Sequence, residues 1–297
     1  MSAGLDPALL AEDQPHPDGQ PQPDGQSLAR RMRSSPPFIA GSALVLAIVL
    51  IAVLGPIWLP SPTAQDPNAL LAGPSGSHWL GTDQLGRDTL SRLVSAAGTD
   101  LRIAITALIA PFVTGIVLGT IAGFFGGWFD TLVMRVIDVL IAFPFYVLVI
   151  ALVFVVGAGE SGIYVALAIV GWVTYARVVR AVTLVVRRQD WVTAARQGGV
   201  PTWRVIVRHV LPHTLTQAVV LLASDMVVVI VAVITLGYLG LGVQAPTPDW
   251  GSMIFDNQNF ITTLWWLPAE PGFAVVLTGI GFALLADGIA DVWRVRR

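Results

Sequence analysis

Three groups of ionisable residues could do chemistry in this chain, and each has a different setting. Asp225 stands alone in the apolar run 215–236, an acid with no cation near it in sequence. Arg135 and Asp138 are three apart, which puts them on one face of a helix where they can pair. Asp83, Arg87, Asp88 and Arg92 lie in the glycine-punctuated stretch His78-Trp-Leu-Gly-Thr-Asp-Gln-Leu-Gly-Arg-Asp-Thr-Leu-Ser-Arg92. What is missing narrows the chemistry further. There is no cysteine and no lysine, so all 17 basic residues are arginine. Disulfides, thiolate metal sites and cysteine nucleophiles are thereby excluded. So are a Schiff base and a Walker A loop, whose lysine reaches nucleotide phosphates. His16, His78, His209 and His213 fall in tails or loops and are not paired, so neither a catalytic nor a metal site is expected.

The elements that carry these residues are set by hydropathy. Only 12% of the chain is charged and 55% is hydrophobic, whereas a soluble domain has about a quarter of its residues charged. Much of the surface must therefore face lipid. Six stretches reach the ~20 mostly apolar residues that a membrane helix needs: 38–59, 103–125, 132–156, 163–186, 215–236 and 272–290. The third contains Arg135, Asp138 and Pro144, and the glycine-rich turn 157–162 separates it from the fourth. The expected fold is an all-α integral membrane protein, with a six-helix domain over 38–291. Longer extramembrane segments are expected at about 60–100 and 237–270. The head, 1–37, repeats Pro-Asp-Gly-Gln and is rich in Pro, Gln and Gly, so disorder is expected there. A basic tail occupies 292–297.

Arginine placement orients the spans. Arg30, Arg31 and Arg33, then Arg187, Arg188, Arg196, Arg204 and Arg208, then Arg294, Arg296 and Arg297 all fall on one side. The other side holds Asp66, Asp83, Asp88, Glu160, Asp249, Asp256 and Glu270, against Arg87 and Arg92. Both termini and the loop 187–212 are expected in the cytoplasm of a cell whose inner membrane holds the chain.

That loop reads RRQDWVTAARQGGVPTWRVIVRHVLP. Trp191 to Arg196 suits a helix, and Gly198-Gly199 offers the left-handed conformation that commonly ends one. Pro201 suits the start of a second helix, on which Trp203, Ile206, Val207 and Val210 are expected to share a face while Arg204 and Arg208 form another. Pro212 is expected to stop that short helix before the fifth span. A basic loop resting its apolar face on headgroups would explain this composition equally well. The residues, however, resemble the EAA loop of ABC importer permeases. Ala194, Ala195, Gly199 and Leu211-Pro212 match, and Thr193 stands where that pattern has Glu.

The 78–92 stretch, with Gly81, Thr82, Asp83, Gly86, Arg87 and Asp88, resembles the H-x-L-G-T-D-x-x-G-R-D-x-L-S-R segment of "C"-type permeases from dipeptide, oligopeptide and nickel importers. Leu236-Gly-Tyr-Leu-Gly-Leu-Gly-Val-Gln-Ala-Pro-Thr-Pro-Asp-Trp-Gly251 resembles a second segment of that family, and Trp265-Trp266, Pro271-Gly272 and Asp287-Gly288 continue it. The resemblance spans about 36–291. It implies a non-catalytic subunit paired with a homologous permease, with two ATPase subunits docked on the loop 187–212 and an extracytoplasmic binding protein delivering a small solute, peptide foremost. ATP and Mg would then sit on the partners, with no cofactor on this chain. Membrane lipid is an expected contact; nucleic acid is not.

An acid near mid-membrane costs about 2.5–3.5 kcal/mol on insertion scales, so Asp225 is expected either to line a wet path or to bond a neighbouring helix. The rival reading is an ion-coupled secondary transporter working through Asp225 and Asp138. It calls for inverted repeats, and none is visible. The orientation is directly testable because the chain lacks cysteine. A cysteine at Pro67 should react with a membrane-impermeant maleimide in intact cells, and one at Gln197 only after permeabilisation. Labelling of position 197 from outside would invert the topology.

Overall fold

A computed structural model describes residues 32–293 of the chain. The expected disordered head, up to residue 31, and the basic tail, from residue 294, lie outside the described residues. The regular elements are all helical. In order they are α1 (Pro36–Trp58), α2 (Thr89–Phe125), α3 (Gly127–Ile141), α4 (Phe145–Val156), α5 (Glu160–Val170), α6 (Trp172–Val186), α7 (Asp190–Gln197) and α8 (Thr202–Val205). Then follow a π-helical turn (Ile206–Val210), α9 (Leu211–Tyr238), α10 (Trp250–Asn257) and α11 (Trp266–Trp293).

Among the described residues five helices are long and apolar enough to cross a membrane, and a sixth span exists if α3 and α4 count as one. Those two meet at a 92° bend instead of forming the straight span expected over 132–156. The cause is local. Pro144 lacks an N–H and disfavours helical geometry at the residue before it, so the helix ends at Ile141 and restarts at Phe145. α2 also departs from expectation, because it begins at Thr89, well before the apolar run at 103. Its start is fixed by Asp88, whose side chain accepts the Ser91 N–H at 2.7 Å as an N-cap.

The spans alternate between two ends of the bundle. At the basic end, Arg187 donates through Nη1 to the carbonyls of Gly123 and Phe124, at 2.8 and 2.9 Å. It thereby satisfies acceptors that the end of α2 would leave open. At the acidic end, Arg102 of α2 pairs with Glu160 at the start of α5. α1 and α11 lie side by side, close enough that a methyl group on Gly41 would meet Leu285 N at 2.3 Å and one on Gly288 would meet Phe38 Cα at 2.3 Å. The main core, including Ile103, Leu167, Ile230 and Trp250, lies between α2, α5, α9 and α10.

A second close crossing is between α2 and α6. Gly115, Gly119 and Gly123 make one stripe on α2 at four-residue spacing. A Cβ on them would lie 2.4 Å from Tyr175 Cβ, 2.6 Å from Ala176 O and 2.7 Å from Thr183 Cβ. Small residues at this spacing let membrane helices approach until their backbones touch, which gains dispersion contact where lipid offers no hydrophobic drive. Gly119→Leu should therefore force the two helices apart, at the 1–3 kcal/mol or more typical of overpacking. Its thermal unfolding midpoint in detergent should drop clearly, while Gly272→Ala, whose added methyl meets open space, should unfold with wild type. Equal midpoints for Gly119→Leu and wild type would remove the stripe from the account of stability.

Candidate functional site

The basic loop is packed, not loose. α7 is closed by the Gly198 N–H donating to Ala194 O, and Gly199 follows at φ +77°. Val192, Val205 and Val210 are fully buried against Phe124 and Val186, with Ala195 and Ile206 half-buried beside them. Arg196 lies over the Phe124 ring at 5.4 Å. On the open side stand Thr193, Ala194, Trp203, Arg204, Val207 and Arg208. Trp203 is 62% and Val207 54% exposed, and Arg204 stacks over the Trp203 ring at 5.3 Å. Trp191 lies against the rings of His209 and His213.

Two expectations about this loop need correction. Pro212 does not stop the helix: residues 202–238 run as one 37-residue helix. The accommodation is the π turn over 206–210, in which the Leu211 N–H donates to Ile206 O, five residues back. A wider turn spares the i−4 pairing that a proline ring would obstruct. The same turn rewrites the faces. Val205 and Val210, five apart, are both buried, while Trp203 and Val207 point outward and Ile206 sits between. The four apolar residues expected on one face are thus divided by a register change that 3.6-residue spacing cannot show.

At the acidic end, the 78–92 stretch is a closed scaffold. Thr82, Asp83, Arg87 and Asp88 are all buried. Asp83 accepts the backbone N–H groups of Leu85 and Arg87 at 2.9 and 3.0 Å and the Arg87 Nε at 2.6 Å, and Arg92 stands 3.4 Å away. Both arginines also face Asp256 of α10, at 3.7 and 3.9 Å. Thr82 receives the Ala72 N–H at 2.9 Å and donates to Ala69 O. Gly81 and Gly86 take φ of +78° and +71°. α10 is pinned from the other side: the Trp250 N–H donates to Asp100 at 3.0 Å and its indole N–H to Leu93 O at 3.1 Å. Burial alone would push the Asp88 carboxyl up, but hydrogen bonds from Ser91 and His78 outweigh it and hold the group below the usual carboxylate range. Burial does prevail at Asp249, the N-cap of α10, and pushes that carboxyl up against the pull of the hydrogen bonds from Ser252 and Gly251.

Between these ends lies a cavity of about 550 Å³, beside the α3–α4 bend. Phe143, Phe145 and Pro111 contribute apolar wall, and Tyr146, Thr174 and Asp225 contribute the polar groups. The buried Tyr175 hydroxyl reaches toward Asp225 without closing a hydrogen bond of good geometry. Asp225 thus stands in a cavity wall, with the Tyr175 hydroxyl of a neighbouring helix close by.

Arg135 and Asp138 are not brought together. Both are exposed on α3, and among the described residues no ion pair joins them. The pair that forms instead is Asp130 with Arg180 of α6, closed by Arg180 Nη2 on Asp130 Oδ2 at 2.7 Å. Asp130 sits in the first turn of α3 where it faces α6, whereas a side chain at 138 has turned to the open side. Asp138 is also absent from the cavity wall, where Asp225 stands. Residues missed at the level of sequence are Asp100, Asp130, Arg180 and Arg187. Each is an ordinary charge in sequence, and its partner lies 50 to 150 residues away.

Gly86 offers the sharpest test of the scaffold. A Cβ there would lie 2.0 Å from Asp66 O, at a φ that L-residues disfavour. Gly86→Ala should open the 60–88 segment. Limited proteolysis of purified protein should then cut there in the variant and leave wild type intact, with the spans undigested in both. Equal resistance would show that the segment closes without this turn.

Comparison with known proteins finds two matching segments. Residues 115–296 match the family model described as binding-protein-dependent transport system inner membrane component, and residues 25–74 match the N-terminal TM domain of oligopeptide transport permease C. The chain is 35% identical to the dipeptide transport system permease protein DppC of Alkalihalophilus pseudofirmus, over 88% of this chain and 86% of that one. It is 34% identical to the probable D,D-dipeptide transport system permease protein DdpC of Escherichia coli, over 93% of each chain. The glutathione transport system permease protein GsiD of Pectobacterium atrosepticum is 34% identical over 88% of each. The first matched block takes in most of the cavity wall, the basic loop and α10. With relatives that cover most of its length, this chain belongs to the family of binding-protein-dependent transport system inner membrane components.

Proposed function

We propose that this chain is one of two homologous permeases in an ATP-driven importer of short peptides. The observation that carries the reading is the basic loop. Its apolar side chains Val192, Val205 and Val210 are locked into the bundle, and Ala194, Trp203, Arg204 and Val207 stand outward. A surface so exposed and so firmly attached suits a partner that must push on the spans. The helix 202–238 runs from that surface, through the π turn, past Asp225 on the cavity wall. A displacement at Trp203 would thus travel along one rigid element to the path.

In this reading the loop and both termini face the cytoplasm, where two ATPase subunits carry ATP and Mg. The chain itself is non-catalytic. The acidic end, with its closed scaffold and α10, lies outside and receives the binding protein. Peptide as the solute is favoured by the dipeptide and glutathione systems to which the relatives belong. The Thr193 side chain is exposed, so ATPase contact at this position would lack the carboxylate that the loop pattern usually supplies. Arg204 and Arg208 offer charge nearby.

Gly199 separates the mechanical role from simple attachment. Its φ of +77° disfavours any β-branched residue, although a side chain would meet nothing within 4 Å. Gly199→Val should therefore re-aim α7 against the helix 202–238 while changing no residue inside a span. In the reconstituted transporter, uptake should fall roughly tenfold or more relative to ATP hydrolysed, about one RT ln 10 of coupling. Arg204→Ala, the loss of an exposed charge contact, should cost less than about fivefold. A Gly199→Val complex that assembles and keeps the wild-type ratio of uptake to hydrolysis would remove the loop as the transmission element.

A further inference from the structure

We propose that Asp225 and Arg177 act together on the passing solute, Asp225 receiving the terminal ammonium of a zwitterionic peptide and Arg177 its terminal carboxylate. This rests on the peptide reading above and adds a role that it does not need. Asp225 is the only acid in the wall of the cavity, and no cation in that wall answers it. Several charges elsewhere in the helices do find partners. Arg102 takes Glu160, Arg180 takes Asp130, Arg87 takes Asp83, and Arg187 caps two carbonyls. Asp225 is in no ion pair among the described residues, and neither is Arg177, which is exposed on α6.

Arg177 is placed by helix geometry. Val170 and Thr174 line the cavity, and Arg177 follows them at i+7 and i+3, on the same face and one turn nearer the basic end. A solute moving from the acidic end along this wall would meet Asp225 and Thr174, then Arg177. Two opposite charges on an otherwise apolar surface suit a molecule with opposite charges at its ends. Guanidinium can bind carboxylate through two parallel hydrogen bonds. The cavity volume, about 550 Å³, falls within the ~300–1,000 Å³ range of small-molecule sites. A charge held within a span is costly unless it faces protein or water, so one left unpaired in the wall and an opposite one a turn beyond the wall call for a ligand.

The competing explanation is that both charges pair with the homologous permease, and one set of variants separates the two. Asp225→Asn, Asp225→Glu, Arg177→Gln and Arg177→Lys would be purified with their partner subunits, reconstituted with the binding protein, and assayed for dialanine uptake. The expected result is that the full complex purifies for all four. Dialanine uptake should fall about tenfold or more in Asp225→Asn and Arg177→Gln, the scale of one lost charged hydrogen bond, and recover in large part in Asp225→Glu and Arg177→Lys. Wild-type uptake by either neutral variant overturns the proposal. So does equal impairment of the charge-keeping variants, which would mean shape and not charge. Loss of the partner permease from the neutral variants assigns the charges to the interface and also overturns it. If the wild-type complex itself moves no dialanine, the peptide reading fails, and this proposal with it.

Discussion

A methyl group added at Gly115, Gly119 or Gly123 would lie 2.4–2.7 Å from atoms of α6, so α2 and α6 are held at a distance that only hydrogen side chains allow. Much else follows from that contact. α6 brings Thr174 to the cavity, and its last turn delivers Arg187 to the carbonyls that end α2. Phe124, one residue past the stripe, is the surface on which the valines of the basic loop and Arg196 rest. The loop therefore reads the position of a helix pair that cannot slide without steric cost, which is what a force-transmitting contact needs.

Two irregularities give the bundle its working shape. The 92° break at Pro144 turns α4 away from α3 and leaves the cavity in the angle between them. A straight third span would fill some of that space. The π turn at 206–210 does the reverse: it keeps two segments continuous where proline would divide them, while turning Trp203 and Val207 outward. Proline thus breaks one helix and is absorbed by another. The difference lies in the turn just before it: the π turn carries the helix 202–238 across Pro212, whereas Ala142 and Phe143 leave the helix ahead of Pro144.

Charge is used differently at the two ends. At the acidic end Asp83, Arg87, Asp88 and Arg92 are consumed in holding their own loop and α10 together. They make a firm platform and leave the exposed surface to other residues. At the basic end Arg196, Arg204 and Arg208 stay exposed. Inside the bundle Asp225 faces the cavity with no ion pair among the described residues. A platform, a handle and a sparsely charged path are the parts a binding-protein-dependent permease requires.

Hydropathy and arginine placement alone determined the class of this protein, an all-α chain crossing a membrane several times. Both are sums over many residues and survive local error. The loop motif at Ala194–Ala195, Gly199 and Leu211-Pro212 and the glycine-rich stretch at 78–92 were legible because turns that need positive φ leave glycine in fixed places. Tertiary structure decided the rest. It split the apolar residues 203–210 by a π register, since helix period is not written in composition. It separated Arg135 from Asp138 and joined Asp130 to Arg180, since pairing depends on which helix faces which. It placed Asp225 on a cavity wall with Tyr175 behind it, because a cavity is a property of several helices and belongs to no one segment of the chain.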